Sequence, residues 1–329
     1  MSHRNIAANT DSIIEYLELT SADRIMAILP FEYCFGASLL HTHLRVGGSL
    51  VLRNSFTYLE DLLNELDEQA CTGIAGVPSS YQHLLRRSSF PNRQFPHLRY
   101  VQQAGGRLPD AFIREFLASQ PNVKFYLMYG QTEATARLSY LPPERLADKL
   151  GSIGRGIPGV RLSVLDADGS PVKPGEVGEI VAEGDNVTLG YWVDDPAKAP
   201  FRDGKLYTGD MARTDEEGFI FVADRVSDFI KPSGHRVSSR EVEEVLAQIT
   251  EILEVAVVGM PDSELGEAAR AFVVLRRNST LSAKDITDYC KKRLPSYIIP
   301  REIVFMPELP KNESQKILKK ALKQYQPPA

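Results

Sequence analysis

The stretch VKFYLMYG at residues 123–130, followed directly by QTEAT at 131–135, decides the fold. Its run of aliphatic and aromatic residues predicts a buried β-strand, and Gly130 at its end permits a tight turn. Four apolar runs upstream have the same character: RIMAILP (24–30), GSLVLRN (48–54), TGIAGV (72–77) and LRYVQQAG (98–105). Between these runs, apolar residues recur at helical spacing, as at Leu59, Leu62, Leu63 and Leu66. This alternation predicts a parallel sheet covered by helices, which binds ligands at the carboxyl ends of its strands.

The pattern changes twice further along the chain. From Gly151 to Asp224, turn signals such as DADGS and KPGE separate short alternating runs and predict a small antiparallel β-barrel unit. After Arg225, the capping-box spacing of Ser238 and Glu241 opens a helix, and strands and a Lys-rich end follow. The predicted fold class is therefore α/β, with a parallel sheet domain, the β unit and a small α+β C-terminal domain. We expect domains at 1–150, 151–226 and 227–329.

The composition excludes several classes of protein. The chain has 329 residues, 38 Lys+Arg against 43 Asp+Glu (net charge −5) and 43% hydrophobic residues, which is typical of a globular protein. This balance excludes a disordered chain and a basic protein that coats nucleic acid. Three cysteines without CxxC spacing predict neither a disulfide framework nor a zinc site, and they indicate a reducing, cytoplasmic compartment. The first residues lack the apolar core of a signal peptide, and no apolar run predicts a transmembrane segment.

The cluster Tyr129 to Thr135, at the predicted ligand-binding edge, is the strongest local candidate for a site. The Thr132 hydroxyl can bond a phosphate oxygen, the Glu133 carboxylate can hold Mg²⁺ against it, and the Tyr129 ring can stack on a base. The alternative is a polar loop between strand and helix with a helix-capping Thr. From spacing alone, both interpretations stay open.

Two glycine-containing motifs can also carry chemistry. In AGGRLP, Gly105 and Gly106 would let a flat ligand approach the backbone closely, although a plain glycine turn explains the motif equally well. In YTGD, the Asp210 carboxylate could accept hydrogen bonds from both hydroxyls of a ribose. An Asp after a Gly is also ordinary turn chemistry.

Basic residues cluster at 224–237 and near the C-terminus. DRVSDFIKPSGHRV combines Arg225, Lys231 and Arg236 with a Pro-Ser-Gly turn, as expected either of a hinge between domains or of a solvated linker. In PKNESQKILKK, the lysines predict a solvated helix face unless other evidence gives them a role. The chain has no HExxH or similarly spaced set of metal ligands and no GxSxG motif, which disfavours a structural metal and Ser-His hydrolysis.

The order of these motifs is more specific than any one of them. YGQTEAT, GEIVAEG, YTGD, DRVSDFIKPSGHRV and a C-terminal lysine, in that order, closely resemble the adenylate-forming superfamily of acyl-CoA synthetases, luciferases and peptide-synthetase adenylation domains. LPFEYCFG, GSIGRGIPG and LPSYIIPREIVF extend the resemblance over essentially the whole chain. The resemblance implies a two-step reaction: a carboxylic acid and Mg·ATP give acyl-AMP and pyrophosphate, and a thiol such as coenzyme A then displaces AMP.

The resemblance also assigns roles around the nucleotide. Tyr129 and Gly130 match the strand end where the tyrosine stacks on adenine, and Gly105 and Gly106 match the opposite side of the base. Thr132 matches the residue that binds the α-phosphate, and Glu133 matches the residue that holds Mg²⁺. Asp210 matches the residue that binds the ribose hydroxyls, and Arg225 matches the residue beside it.

Other matches concern the acid, the thiol and the domain movement. Lys316 matches the lysine that bridges the α-phosphate and the substrate carboxylate, and Lys231 and Arg236 match residues that assist this chemistry. Tyr33 and Phe35 match aromatic positions where the carboxylate and the thiol enter. Ser227 matches the hinge on which the small domain turns, where relatives usually carry Asp or Lys. Two departures lie beside Lys316: Gln315 replaces a usual Gly and Asn312 a usual Thr.

The resemblance predicts that this chain covers only part of such an enzyme. SHRNI resembles the segment that follows the Ser/Thr/Gly-rich phosphate loop, so we expect that loop and the start of the sheet domain to lie outside these residues. The predicted function is an AMP-forming acid–thiol ligase acting on a carboxylic acid and coenzyme A. The alternatives are an inactive or split fragment that needs a partner chain, or a ligase that loads an acyl or peptidyl carrier protein. The sequence does not identify the acid.

Overall fold

The structure, a computed structural model, describes residues 1–53, 56–192, 199–223, 229–235, 237–312 and 317–325. The helices are α1 (His3–Leu17), α2 (Cys34–Val46), α3 (Leu59–Glu68), α4 (Pro78–Arg87), α5 (Asp110–Ser119), α6 (Ser239–Ala247), α7 (Ala283–Lys291) and α8 (Lys319–Lys323). The strands are β1 (Arg24–Ala27), β2 (Ser49–Leu52), β3 (Gly73–Gly76), β4 (Tyr100–Gln103), β5 (Lys124–Tyr129), β6 (Ser139–Leu141), β7 (Arg155–Gly156), β8 (Val160–Leu165), β9 (Gly178–Gly184), β10 (Phe201–Arg202), β11 (Lys205–Thr214), β12 (Ile220–Val222), β13 (Phe229–Ile230), β14 (Val237–Ser238), β15 (Ile252–Asp262), β16 (Gly266–Leu275) and β17 (Glu302–Phe305).

The chain divides into two compact units. The first comprises Met1–Pro78, Gln94–Gly106 and Gln120–Ala223, and the second comprises Ser79–Arg93, Arg107–Ser119 and Asp224–Ala329. The fold class expected from the sequence is confirmed: a mixed α/β chain with a parallel sheet, a curled antiparallel sheet and a small C-terminal sheet domain.

The first unit contains the predicted parallel sheet. Its strand order is β2-β1-β3-β4-β5-β6-β7, and the pairs from β2 to β5 are parallel. Strand β1 covers Arg24–Ala27, the first part of the apolar run at residues 24–30. Strands β6 and β7 extend the sheet in antiparallel fashion. The chain reverses after Tyr129, whose carbonyl accepts a hydrogen bond of 2.9 Å from the N–H of Leu138.

The core of this unit packs helices α1 and α2 against the sheet. Ile13, Leu17, Ile25, Leu39 and Tyr100 belong to one buried cluster. Helix α1 begins at a capping box in which Ser2 and Asn5 bond reciprocally, and the Asn5 side chain also donates to the carbonyls of Asp185 and Val187. The start of the chain is thereby joined to the β unit.

The β unit of the first compact unit is an antiparallel sheet with the strand order β10-β11-β9-β8, and β12 pairs with β11. Its core includes Val164, Ile180, Ala212 and Ile220. The pairing of β11 with β9 shifts register between Tyr207 and Met211, which oppose Val181 and Glu179 respectively. Residues 208–210 therefore form a bulge in the strand.

The second unit is built on β15, β16 and β17. The pair β15–β16 is antiparallel and β16–β17 is parallel, and Leu253, Phe272 and Leu309 belong to its core. Ser238 caps α6, as expected, by accepting a hydrogen bond from the N–H of Arg240. Helix α7 begins at Ser282, which forms a full capping box with Asp285.

Helices α4 and α5 belong to this second unit, and Arg86 holds α4 in it. The Arg86 guanidinium is buried and donates to the carbonyls of Ala247, at 2.9 Å, and of Ile249, at 3.1 Å, and also to the carbonyl of Ile252. Its Nε donates to Glu115 of α5 at 2.9 Å. A side chain of α4 thus satisfies carbonyl groups where α6 ends and β15 begins.

The three cysteines, Cys34, Cys71 and Cys290, are free thiols. Within the part of the chain that the structure describes, we find no helix with the length and apolar character needed to span a membrane.

Candidate active site

The sequence-predicted residues of the first unit gather where β3, β4 and β5 end. In the register of the sheet, Gly76 pairs with Gln103, and Gln103 pairs with Leu127, so the three strands end side by side. The loops that follow carry the AGGRLP and YGQTEAT motifs. The structure therefore places both motifs at the carboxyl edge of the sheet, where parallel sheets bind ligands.

The AGGRLP loop brings Gly105 against Tyr33. Gly105 has φ +85°, a conformation that favours glycine, and a Cβ built there would lie 3.0 Å from the Tyr33 hydroxyl and 3.1 Å from Cγ1 of Val77. At Gly106 the nearest atom to such a Cβ is Cγ of Pro78, at 3.3 Å. Any side chain at Gly105 would project into the space in front of Tyr33.

The YGQTEAT loop is held in shape by its own backbone. A Cβ at Gly130 would lie 2.0 Å from the carbonyl oxygen of Ala136, so the chain can fold back here only without a side chain. Thr132 to Ala134 form a 3₁₀ turn whose N-cap is Gln131 and whose C-cap is Thr135. Thr132 is exposed and Glu133 half-buried, which presents a hydroxyl and a carboxylate side by side at the edge.

Tyr129 and Asp210 are joined by a direct hydrogen bond. The Tyr129 hydroxyl donates to Oδ2 of Asp210 at 2.8 Å. Asp210 lies in the β11 bulge, where Gly209 has φ +74° and its N–H donates to Oε1 of Glu179 at 2.9 Å. The bulge releases this stretch from regular pairing and sets the Asp210 carboxylate beside the end of β5.

The Glu133 carboxylate has a neighbour that the sequence did not reveal. The hydroxyl of Tyr191 donates to Oε1 of Glu133, and the N–H of Thr188 donates to the Glu133 carbonyl at 2.9 Å. The ring of Tyr191 packs edge-on against Phe201, with 5.7 Å between the centroids. The only signal for Tyr191 was its position in TLGYW, 58 residues after Glu133 and without a recognisable motif.

The donor set at Glu133 fits magnesium. Among the described residues, no group of three or more His, Cys, Asp or Glu side chains could hold a metal ion unaided. Mg²⁺ keeps several waters and binds through one or two carboxylates together with the phosphates of a substrate, so the single Glu133 carboxylate is sufficient on the protein side.

The two predicted aromatic residues lie at the start of α2, where Tyr33 is the N-cap and Phe35 is in the first turn. Cys34, between them, has its Sγ 3.7 Å from the Thr132 hydroxyl. Burial is the main cause that raises the pKa of Tyr33, and the neighbouring Cys34 raises it further. The charge of Arg137 acts in the opposite direction and lowers it. Phe35 is buried, with the Arg137 guanidinium 3.9 Å above its ring. Only Tyr33 of this pair directly faces the edge at Gly105.

The second unit carries the remaining predicted residues. Lys231 is exposed, and its backbone N–H donates to Glu267 at 2.8 Å. The others lie outside the described residues: Arg225, Ser227, Arg236 and Lys316.

The C-terminal lysines do not form a uniformly solvated face. Lys311 donates to Glu254, which is 2% exposed, and Glu254 also contacts Nε2 of His83 in α4 at 3.2 Å. Lys319 pairs with Glu243 at 2.7 Å. The solvated-face interpretation is therefore wrong for Lys311 and Lys319, whose ion pairs are largely shielded from water.

The family follows from comparison with known proteins. The model of the AMP-binding enzyme family matches residues 1–192, and the model of the AMP-binding enzyme C-terminal domain matches residues 241–316. The chain belongs to the AMP-binding enzyme family, which confirms the resemblance found in the sequence.

Its relatives include several CoA ligases. It is 32% identical to the indoleacetate–CoA ligase of Aromatoleum aromaticum, with 98% of this chain and 63% of that protein covered. It is 33% identical to the 2-succinylbenzoate–CoA ligase of Bacillus subtilis, with 93% and 62% covered. The chain thus spans less than two thirds of the length of these relatives.

Solved structures give the same result. The o-succinylbenzoate CoA synthetase of Bacillus subtilis in complex with its acyl-adenylate intermediate matches with a TM-score of 0.83 and 32% identity, over 99% of this chain and 66% of that one. The same enzyme in complex with ATP and magnesium ion matches with a TM-score of 0.82 and 31% identity, over 98% and 66%.

Proposed function

We propose that this chain carries part of an AMP-forming acid–thiol ligase that uses a carboxylic acid, Mg·ATP and coenzyme A. In the first step, a carboxylate oxygen attacks the α-phosphorus, and the bond to pyrophosphate breaks. In the second step, a thiol sulfur attacks the acyl carbon, loses its proton, and AMP leaves. The observation that carries the proposal is the joint placement of Tyr129, Asp210, Thr132 and Glu133 at one sheet edge.

Each residue at this edge has a physical reason for its proposed role. The Tyr129 ring stacks on adenine, which Gly105 and Gly106 allow to approach the backbone on its other side, with Gly130 keeping the strand end in place. Asp210, oriented by the Tyr129 hydroxyl, accepts hydrogen bonds from the ribose. We assign Arg225 to nucleotide binding on the resemblance alone. The Thr132 hydroxyl donates to the α-phosphate. Glu133, held by Tyr191, binds the Mg²⁺ that neutralises phosphate charge.

The basic residues of the C-terminal domain act on the transition state. We assign to Lys316 the charge that bridges the α-phosphate and the attacking carboxylate, where negative charge accumulates during the reaction. Lys231 and Arg236 assist it. Tyr33 and Phe35 serve the acyl side, and Ser227 is the proposed hinge of a mobile domain at 227–329, which follows domains at 1–150 and 151–226. We also propose a cytoplasmic location, which the three free thiols favour.

The proposal is tested first by nucleotide binding, which does not require turnover. We expect the chain to bind AMP, and Asp210→Ala to weaken that binding about 10- to 100-fold, the effect of a hydrogen bond to a charged group. Glu216→Ala, which removes an exposed carboxylate following the same strand, is the matched control and leaves affinity unchanged. Equal affinity in the wild type and Asp210→Ala would refute the ribose assignment.

Turnover is tested by carboxylate-dependent ATP–pyrophosphate exchange. We expect no exchange from these residues alone, because they contain no Gly-rich phosphate loop, and exchange once a segment that carries one is supplied. In that active form Lys316→Ala lowers adenylation about 10²–10³-fold. Exchange by the isolated chain would instead show that these residues suffice. An acyl or peptidyl carrier protein is the second candidate acceptor, distinguished by replacing coenzyme A in the thioester assay.

A further inference from the structure

Arg137 is a buried cation without a buried anion. Its side chain is only 1% exposed, four residues after Glu133, and it is among the largest fully buried side chains of the chain. Among the described residues, its Nη2 has no hydrogen-bond partner and its guanidinium forms no salt bridge. Its Nε donates to Sδ of Met128 at 3.3 Å, a weak acceptor.

A buried guanidinium that is not paired with an anion lowers the free energy of unfolding. Removing an unpaired charge from water costs several kcal/mol, and buried polar atoms without a partner are rare in folded proteins. The neighbouring groups do not supply a negative charge. Burial, the largest effect, raises the pKa of the nearby Tyr16 hydroxyl, although the charge of Arg137 and a hydrogen bond from its side chain act in the opposite direction. Tyr16 is therefore a neutral partner of the guanidinium and supplies no negative charge.

The backbone fixes Arg137 in this place. Its N–H donates to Oδ1 of Asn9 at 3.3 Å, and its carbonyl accepts from Nδ2 of Asn9 at 3.0 Å and from Nδ2 of Asn186 at 2.9 Å. The Phe35 ring stacks 3.9 Å from its guanidinium carbon. The cation is thus held in position before any ligand arrives, which lowers the entropic cost of using it.

The location of Arg137 connects it with the acyl side of the site. Phe35 belongs to the same short segment as Tyr33, whose hydroxyl faces Gly105, and the charge of Arg137 acts on Tyr33. Resting on the proposed function, we infer that Arg137 selects the acyl substrate: the ligase takes a carboxylic acid that bears a second carboxylate, and Arg137 pairs with that second group. The first carboxylate is left free for adenylation.

The inference is tested by binding of stable acyl-adenylate analogues, which requires no catalysis. The probes are matched acyl-sulfamoyl adenosines that differ only in a terminal carboxylate: succinyl against butanoyl, glutaryl against pentanoyl, and adipoyl against hexanoyl. We expect the wild type to bind the carboxylate-bearing member at least about tenfold more tightly in one or more pairs. Arg137→Met abolishes this preference, and Arg137→Lys retains part of it. Arg161→Met, at an exposed position, leaves it unchanged.

The outcomes separate this inference from the proposed function. If the wild type binds both members of every pair equally well, the inference is overturned while the proposed function stands. If it binds neither AMP nor any analogue, the proposed function fails and the inference fails with it. A purely structural Arg137 would weaken both members of a pair by the same factor in Arg137→Met. Because the wild-type preference is measured without any variant, a failure of Arg137→Met to fold does not block the test.

Discussion

The hydroxyl of Tyr129 lies 2.8 Å from the Asp210 carboxylate. This one hydrogen bond joins the end of the parallel strand β5 to the bulge in the antiparallel strand β11. The two residues are separated by 81 positions in the sequence. The bond fixes the tyrosine ring and the carboxylate relative to each other, so the proposed base-stacking and ribose-binding groups are positioned by the protein rather than by the ligand.

The first prediction separates the ring of Tyr129 from its hydroxyl. Tyr129→Phe keeps the ring and removes the bond to Asp210, so we expect a loss of about 1 kcal/mol in the free energy of unfolding and a small loss of AMP affinity. Tyr129→Ala also removes the stacking surface and is expected to weaken AMP binding by a further ~10-fold. Urea unfolding and AMP titration measure the two effects. If the Phe variant binds AMP as weakly as the Ala variant, the stacking role is wrong.

The second prediction concerns the space at Gly130. Gly130→Ala places a methyl group 2.0 Å from the Ala136 carbonyl oxygen, so the loop must move. We expect it to lower the free energy of unfolding by about 1–3 kcal/mol, together with AMP affinity. Gly106→Ala is the control, because its nearest neighbour, the flexible ring of Pro78, is 3.3 Å away. Equal stabilities for the two variants would contradict the close approach.

The third prediction concerns Arg86, which bonds carbonyls of Ala247, Ile249 and Ile252. Arg86→Met removes the donor to the buried carbonyls of Ala247 and Ile252, whereas the Ile249 carbonyl keeps the Ile252 N–H and Glu115 keeps Arg276. We therefore expect a loss of about 3–5 kcal/mol from the stability of the second unit. Arg87→Met, at the adjacent exposed position, is expected to change stability by less than about 0.5 kcal/mol. A loss below 1 kcal/mol for Arg86→Met would contradict the assigned role.

The fourth prediction is a pH dependence from Glu254. Burial alone would raise the pKa of Glu254, but hydrogen bonds from His83 and Lys311 outweigh burial and hold it below its ordinary value of 4.5. The unfolded chain therefore binds more protons at this site as the pH falls through that range. The stabilisation from Glu254 is complete above about pH 4.5 and is lost as the pH falls through the lower folded-state pKa.

The measurement compares the wild type with Glu254→Gln. Other carboxylates titrate in the same range, so only the difference in unfolding free energy between the two proteins reports on Glu254. We expect this difference to narrow as the pH is lowered from 5 to 3, as followed by urea unfolding. A difference that stays constant over this interval would show that Glu254 is not held ionised by its partners.

The sequence predicted the fold because each local signal agreed with the next. The apolar runs that became β1 to β5 ended in Gly, Pro or polar residues, and the order of YGQTEAT and YTGD indicated a shared site. It could not predict that Tyr129 bonds Asp210, because that contact depends on a register shift in β11. Nor could it place α4 with the C-terminal domain, since Arg86 and Ile252 are 166 residues apart. Arg137 was missed for a different reason, since a lone Arg carries no pattern and only its burial makes it unusual.

The bulge in β11 sets the Asp210 carboxylate beside the end of β5 without disturbing the core of the β unit. Tyr207 and Met211 are four residues apart, while their partners Val181 and Glu179 are two apart, so the strand carries two extra residues. Because the number of extra residues is even, side chains before and after the bulge alternate between the same two faces of the sheet. Leu206 and Ala212, on either side of the bulge, are both fully buried. The buried core of the β unit therefore does not depend on the Asp210 side chain, whose structural partner is the Tyr129 hydroxyl. A substitution at this position changes the groups offered to a ligand at the cost of about one hydrogen bond, and leaves the packing of the β unit intact.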